Sequence, residues 1–108
     1  MTRTICEADW KVFRALHPIA MERFSARVLA EIDRILADTG RSAHARYLAV
    51  AKLVDRRDRE LSEMFDDLRR STALIQLARL RFCDLVTNEE FVQFGEETRG
   101  VIAMFQDK

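Results

Sequence analysis

The chain has 108 residues, 48% of them apolar and 33% charged, and its 18 basic and 18 acidic side chains leave it formally neutral. That length suits one domain, residues 1–108, with enough apolar mass for a core. The charge balance gives no global field that would draw in nucleic acid or an anionic membrane. No apolar run approaches a membrane span, and the N-terminus MTRTICEADW lacks the apolar centre of a signal peptide, so a cytoplasmic setting without membrane contact is expected.

Three glycines and one proline leave few places to break the chain, and no alternating β-branched runs flank turn dipeptides. The expected fold class is therefore all-α, a small domain of four or five helices. Thr4 and Glu7 have the T-x-x-E spacing of a capping box, which predicts that a first helix starts there. Trp10, Phe13 and Leu16 give it a short apolar face. Pro18 disfavours helix at His17, so this helix should end near Leu16 and a second should begin at Pro18; one kinked helix is the alternative. The second helix carries Met21, Phe24, Val28, Ile32 and Ile35 at helical spacing, widened by Leu29 and Leu36. Gly40 should stop it in the left-handed conformation, and Ser42 should cap the next helix.

Between Ser42 and Phe94 there is no Gly or Pro. Tyr47, Val54, Leu61, Leu68, Ile75 and Phe82 recur every seven residues, with Met64 and Phe65 beside them. This phase runs through the charged stretch DRRDRELSEMFDDLRRSTAL without a reset. It predicts one long central helix from about 43 to 85; two helices meeting near 66–72, with Ser71 as a cap, are the alternative. One continuous helix would span ~64 Å at 1.5 Å per residue, far beyond a compact domain with a radius of gyration near ~13 Å. Its exposed stripe would then need cover, and a second copy is the simplest cover. Tyr47, Val54, Leu61, Met64, Phe65, Leu68, Ile75 and Phe82 are the expected self-association residues of a helical-bundle homodimer. Antiparallel pairing would set the polar layer Arg57/Asp58 against Ser71/Thr72 and avoid like-charge contacts. Thr87 and Glu90 form a second capping box for a short helix through Phe94. A last helix, about 96–106, should turn Val101, Ile102 and Phe105 inward.

Chemistry-bearing patterns are sparse. No phosphate loop, H-E-x-x-H, calcium loop or nucleophile elbow occurs. Cys6 and Cys83 match no metal or redox spacing, and His17 and His44 lie in unrelated local contexts. Glu89/Glu90 and Glu96/Glu97 suit first helical turns, where the macrodipole favours negative charge. Arg69, Arg70, Arg79 and Arg81 form a basic stretch that could meet phosphates, but residues 84–108 hold six acids against two bases and offer a partner within the chain. The expectation is a non-catalytic interaction, adaptor or regulatory protein acting as a homodimer, without cofactor or metal, and with an unidentified protein partner. A nucleic-acid-associated regulator using the four arginines is the alternative.

Overall fold

The structure is a computed structural model that describes residues 4–106. Its order is α1 (Glu7–Ala37), α2 (Ala43–Phe65), α3 (Arg70–Phe82), α4 (Asn88–Phe91) and α5 (Glu96–Gln106), and no strand occurs among the described residues. Helix α1 pairs with α2, α3 packs on both, and α5 packs on α3. The radius of gyration is 16.9 Å and the extents are 53 × 27 × 26 Å. A compact chain of this length would reach only ~13 Å. The elongation comes from the hairpin of α1 and α2, which outruns the helices packed on it.

Helix α1 corrects the expected break at Pro18. The proline lies inside a single helix of 31 residues. Its missing donor and ring clash cost ~3 kcal/mol in a free helix. The ring lies on the exposed side, however, while Phe13, Leu16, His17, Ala20 and Phe24 are buried on both sides of it in sequence. The apolar phase does not reset at Pro18, and burial of that continuous stripe outweighs the local penalty. The helix starts after Cys6, with no side-chain cap, so the Thr4/Glu7 box does not form. It ends at Ala37 with Asp38 as its cap, and Gly40 is not left-handed. Ser42 does cap α2: its Oγ accepts from the Ala45 N–H at 3.0 Å.

The single helix expected over 43–85 is two helices. Helix α2 stops at Phe65, Asp66 is extended, and Asp67 has φ of 63°. Aspartate enters the left-handed region more cheaply than most residues. Side chains from α1 and α3 then satisfy the carbonyls that α2 leaves free. His17 Nε2 donates to Phe65 O at 3.1 Å, Arg79 to Glu63 O at 3.0 Å, and Gln76 Nε2 to Asp66 O at 2.6 Å. Thr72, not Ser71, organises the new N-terminus. Its hydroxyl donates to Asp67 O at 2.7 Å and accepts from Arg69 N at 3.3 Å.

Helix α3 ends in a Schellman motif. Leu85 N donates to Leu80 O at 2.9 Å and Asp84 N to Arg81 O at 3.1 Å, with Asp84 left-handed at φ of 58°. Leu80 and Leu85, the apolar pair that accompanies this motif, are both buried. The Thr87/Glu90 capping box forms as expected. Two arginines of α1 then tie down the chain after α3. Arg27 donates to Cys83 O and Asp84 O, while Arg23 grips both Glu90 oxygens at 2.7 and 2.9 Å and also reaches Leu85 O. The start of α5 is capped from a distance. The buried Asp9 carboxylate accepts from Gly95 N at 3.0 Å and from Thr98 Oγ1 at 2.5 Å. Ile102 is fully buried as expected, whereas Val101 is half-buried and Phe105 exposed.

Two outcomes follow for stability. Asp84→Gly should stabilise the protein by about 0.5–1 kcal/mol in urea unfolding, because glycine adopts positive φ without strain, and Asp84→Val should destabilise it by a similar or larger amount. The Arg23 fork, above all, holds the Glu90 carboxyl down at about 2 instead of 4.5. A depressed acid stabilises the fold above its unfolded pKa and ceases to do so as the pH falls through its folded one. The tie should therefore be complete above about pH 5 and lost toward pH 2. With Arg23 35% exposed and screened by water, it should contribute roughly 1–2 kcal/mol. Glu90→Gln should be less stable than wild type by that amount at pH 7 and equal to it near pH 2. A constant gap across the range would refute the assignment.

Candidate functional site

The eight residues expected at a self-association stripe do not share one surface. Met64 and Phe65 are 7% and 3% exposed and belong to the chain's own core, where Phe65 meets Phe24 and His17 edge-on at 6.0 and 5.3 Å. They need no second copy to cover them. The break at residues 66–69 turns Ile75 and Phe82 away from α2's outer stripe. They line a groove of about 500 Å³ with Met64, Ala78 and Phe105. Leu68 lies in the connecting turn and is exposed. Tyr47, Val54 and Leu61 remain on one face of α2.

That face extends across the hairpin. Helix α1 meets α2 along Val28, Glu31 and Ile35, and the Arg57 guanidinium fastens this seam by gripping Glu31 at 3.1 and 3.0 Å and Glu60 at 2.7 and 2.8 Å. The Arg57 hydrogen bonds are the main reason the Glu31 carboxyl is held below its usual range. At ~100° per residue, Leu29, Ile32 and Leu36 sit roughly a quarter turn from the seam. Tyr47, Val50 and Val54 sit a quarter turn from it on α2, in the same sense. Because the two helices run antiparallel, both stripes emerge on the same side. Tyr47 is 67% exposed, Leu29 62%, Leu36 51% and Val54 36%. Helices α3 to α5 pack on the other side of the hairpin and only near its base, where Arg27 holds the end of α3.

On that other side, beyond the base, the hairpin is basic. Arg27, Arg34, Arg41, Lys52 and Arg56 line a cleft of about 660 Å³ floored by Ala30, Ile35, Ala49 and Leu53, with Glu31 at its edge. The sequence held a signal for it: Arg27, Arg34 and Arg41 are spaced by seven, and Lys52 and Arg56 by four. The basic stretch singled out from the sequence is arranged differently. Arg69 pairs with Asp67 at 2.6 Å. Arg70 reaches Glu7 and Ile5 O, each at 3.0 Å. Arg79 is held by Glu63 O, and Arg81 by Val86 O and Asn88 while it lies 4.5 Å over the Phe91 ring. These four spread over separate anchors and do not converge. Their partners come from α1, α2, α4 and nearby loops; of the expected acidic tail, Asp107 lies outside the described residues.

The remaining chemistry-bearing groups are dispersed. His17 is buried beneath the end of α2, while His44 is exposed beside Tyr47. Cys6 is exposed and Cys83 half-buried; burial, chiefly, pushes the Cys83 thiol up. Among the described residues no three His, Cys, Asp or Glu side chains converge to hold a metal ion, and no helix is long and apolar enough to cross a membrane. The chain matches no family model, no curated protein and no solved structure.

Core and interface residues should separate in one experiment. Phe65→Ala should cost about 3–5 kcal/mol of unfolding free energy, the range for a fully buried aromatic. The loss should be independent of protein concentration. A loss that vanishes on dilution would place Phe65 at a subunit interface instead.

Proposed function

We propose that the chain is a non-catalytic interaction module that self-associates through the open apolar face of its α1–α2 hairpin, and that it serves as an adaptor or regulatory subunit. One observation carries the reading: Leu29, Ile32, Leu36, Tyr47, Val50 and Val54 form a continuous stripe on two helices, and nothing among the described residues covers it. A two-helix hairpin buries only the sides of its helices that face each other. A second hairpin laid on this face would complete a four-helix bundle, the packing such stripes ordinarily form. A two-fold axis near Val54 would pair the α2 helices antiparallel, with Tyr47 of one copy against Leu61 of the other. An isologous arrangement of this kind closes on itself and does not propagate.

The magnitude fits a reversible dimer. Fully burying an exposed Leu or Val is worth ~1.5–3 kcal/mol, so a half-exposed one adds about 1 kcal/mol. Six such side chains on each copy give roughly 10 kcal/mol, against an association cost of ~4–15 kcal/mol. At the low end of that cost the surplus is about 6 kcal/mol, which supports dissociation in the tens of micromolar, not an obligate dimer.

Sedimentation velocity from ~1 to ~200 μM should show a monomer–dimer equilibrium, since a surplus of about 6 kcal/mol corresponds to dissociation near ~40 μM. Leu36→Lys with Tyr47→Lys should leave a monomer of unchanged helicity at every concentration. Phe82→Lys, outside this face, should dimerise like wild type. A wild type that stays monomeric throughout, or a double variant that dimerises normally, would overturn the proposal.

A further inference from the structure

We infer that the basic cleft on the opposite side of the hairpin binds the phosphodiester backbone of a nucleic-acid duplex. The inference does not depend on self-association, because the two faces of the hairpin are separate surfaces.

The described arginines divide sharply by what they touch. Nearly all are committed: Arg23, Arg27, Arg46, Arg70, Arg79, Arg81 and Arg99 donate to backbone carbonyls. Arg57, Arg59 and Arg69 pair with carboxylates, and Arg14 lies over the Trp10 ring. Among the described residues, Arg34, Arg41 and Arg56 have no side-chain hydrogen bond, ion pair or ring contact, and all three line this one cleft, together with Lys52. Glu31, the acid among the lining residues, already has both oxygens on Arg57. A chain of zero net charge thus gathers the uncommitted arginines among its described residues in one place; Lys52 joins them, and Lys11 stands apart on the first turns of α1.

The arrangement also says which anion fits. Arg27 and Arg34 stand two helical turns apart on α1, ~10.5 Å, and Arg41 continues the line into the turn. Lys52 and Arg56 face them from α2, ~6 Å apart. This is an extended track, not a pocket around one phosphate. A duplex carries a charge every ~1.7 Å of its axis, so a track of cations engages it in any register. Guanidinium forks match phosphate oxygens bidentately. A single strand is ordinarily held by bases stacked on aromatic rings, and no aromatic residue lines this cleft. An acidic protein would ordinarily add an apolar anchor. The floor offers only two alanines, a half-buried Ile35 and a buried Leu53.

Fluorescence anisotropy of the full chain with a labelled duplex of ~20 base pairs, as DNA and as RNA, tests the assignment. Four free cations predict a salt slope near −3.6, so affinity should fall roughly a hundredfold between ~50 and ~200 mM salt. Arg34→Glu with Arg56→Glu should weaken binding at least ~10-fold at low salt and flatten the slope toward half. Arg69→Glu should change it less than twofold, and circular dichroism should show both variants folded. Binding to either duplex with this pattern supports the inference, and the two arms show which sugar backbone is preferred. It is overturned if the wild type fails to bind both duplexes at low salt. It is also overturned if the folded double variant binds like wild type, or if polyglutamate binds more tightly than the duplexes, which would assign the cleft to an acidic protein.

Discussion

The end of α2 leaves carbonyls without intrahelical partners, and side chains from two other helices satisfy them. His17 comes from α1; Arg79 and Gln76 come from α3. An unpaired buried carbonyl costs ~1–3 kcal/mol, so the buried His17 bond to Phe65 O weighs most in where α2 can stop, with the more exposed Gln76 and Arg79 bonds in support. A carbonyl oxygen only accepts, so the His17 ring must present Nε2–H. The ring is also wedged between Phe13 and Phe65, at 6.1 and 5.3 Å. The same residue therefore packs the core and caps a helix. Once α2 ends at Phe65, α3 must fold back on the base of the hairpin, and the placement of α4 and α5 follows from that.

The all-α class, the Ser42 cap, the Thr87/Glu90 box and the last helix were legible in the sequence because each rests on contacts only a few residues apart. The two misplaced boundaries share one cause. Unbroken apolar phase reads as continuity over 43–85, whereas at Pro18 the local rule for proline reads as a break. At Pro18 the phase was the better guide, since Phe13, Leu16, Ala20 and Phe24 pay into one core from both sides of the ring. At 66–69 it misled, because Leu68 holds the heptad position while lying in a turn. The groups that stabilise that turn, His17 and Gln76, are distant from it in sequence or indistinguishable from ordinary helix residues. The Asp9 cap on α5 spans 86 residues to Gly95 and left no local signal. Of the stripe residues, Tyr47 and Val54 were legible as surface because α2 is regular there; Leu61, half-buried against the core, and Met64 and Phe65 within it were not legible as such without the fold of α1 above them.

Several of the arginines do work in the fold that lysine could not do as well. A guanidinium can serve two acceptors at once, and here it commonly joins a backbone carbonyl to a second group. Arg23 bridges Leu85 O and Glu90, Arg27 bridges two successive carbonyls, and Arg70 bridges Ile5 O and Glu7. Lysine offers a compact point charge without the planar fork. The small core is thus supplemented by cross-links at the ends of helices, where carbonyls would otherwise lack partners. This usage also explains why a basic stretch in the sequence, residues 69–81, gave no basic surface. Its arginines were recruited to hold helix ends together.

The length of α1 sets the character of the remaining surface. Its 31 residues rise ~46 Å, whereas the 13 of α3 rise ~20 Å. The ties to α1 run from Glu7 to Arg27, so residues 28–37, about 15 Å of α1, have only the partner helix for company. Each helix there has three environments: the seam toward its partner, one flank and the other flank. If the hairpin were a solvated spacer, both flanks would be polar and roughly alike. They are not. One flank collects Leu29, Leu36, Tyr47 and Val54, and the other collects Arg34, Arg41, Lys52 and Arg56. Random placement of apolar and basic residues on two antiparallel helices would not sort them to opposite sides in both. The sorting has a further consequence for a dimer built on the apolar flank. The two basic clefts would lie on its outer sides, facing away from each other, where association leaves them open and their mutual repulsion is screened by the protein between them and by salt over about 10 Å. The two surfaces are therefore compatible in one assembly, each on the flank that the other does not use.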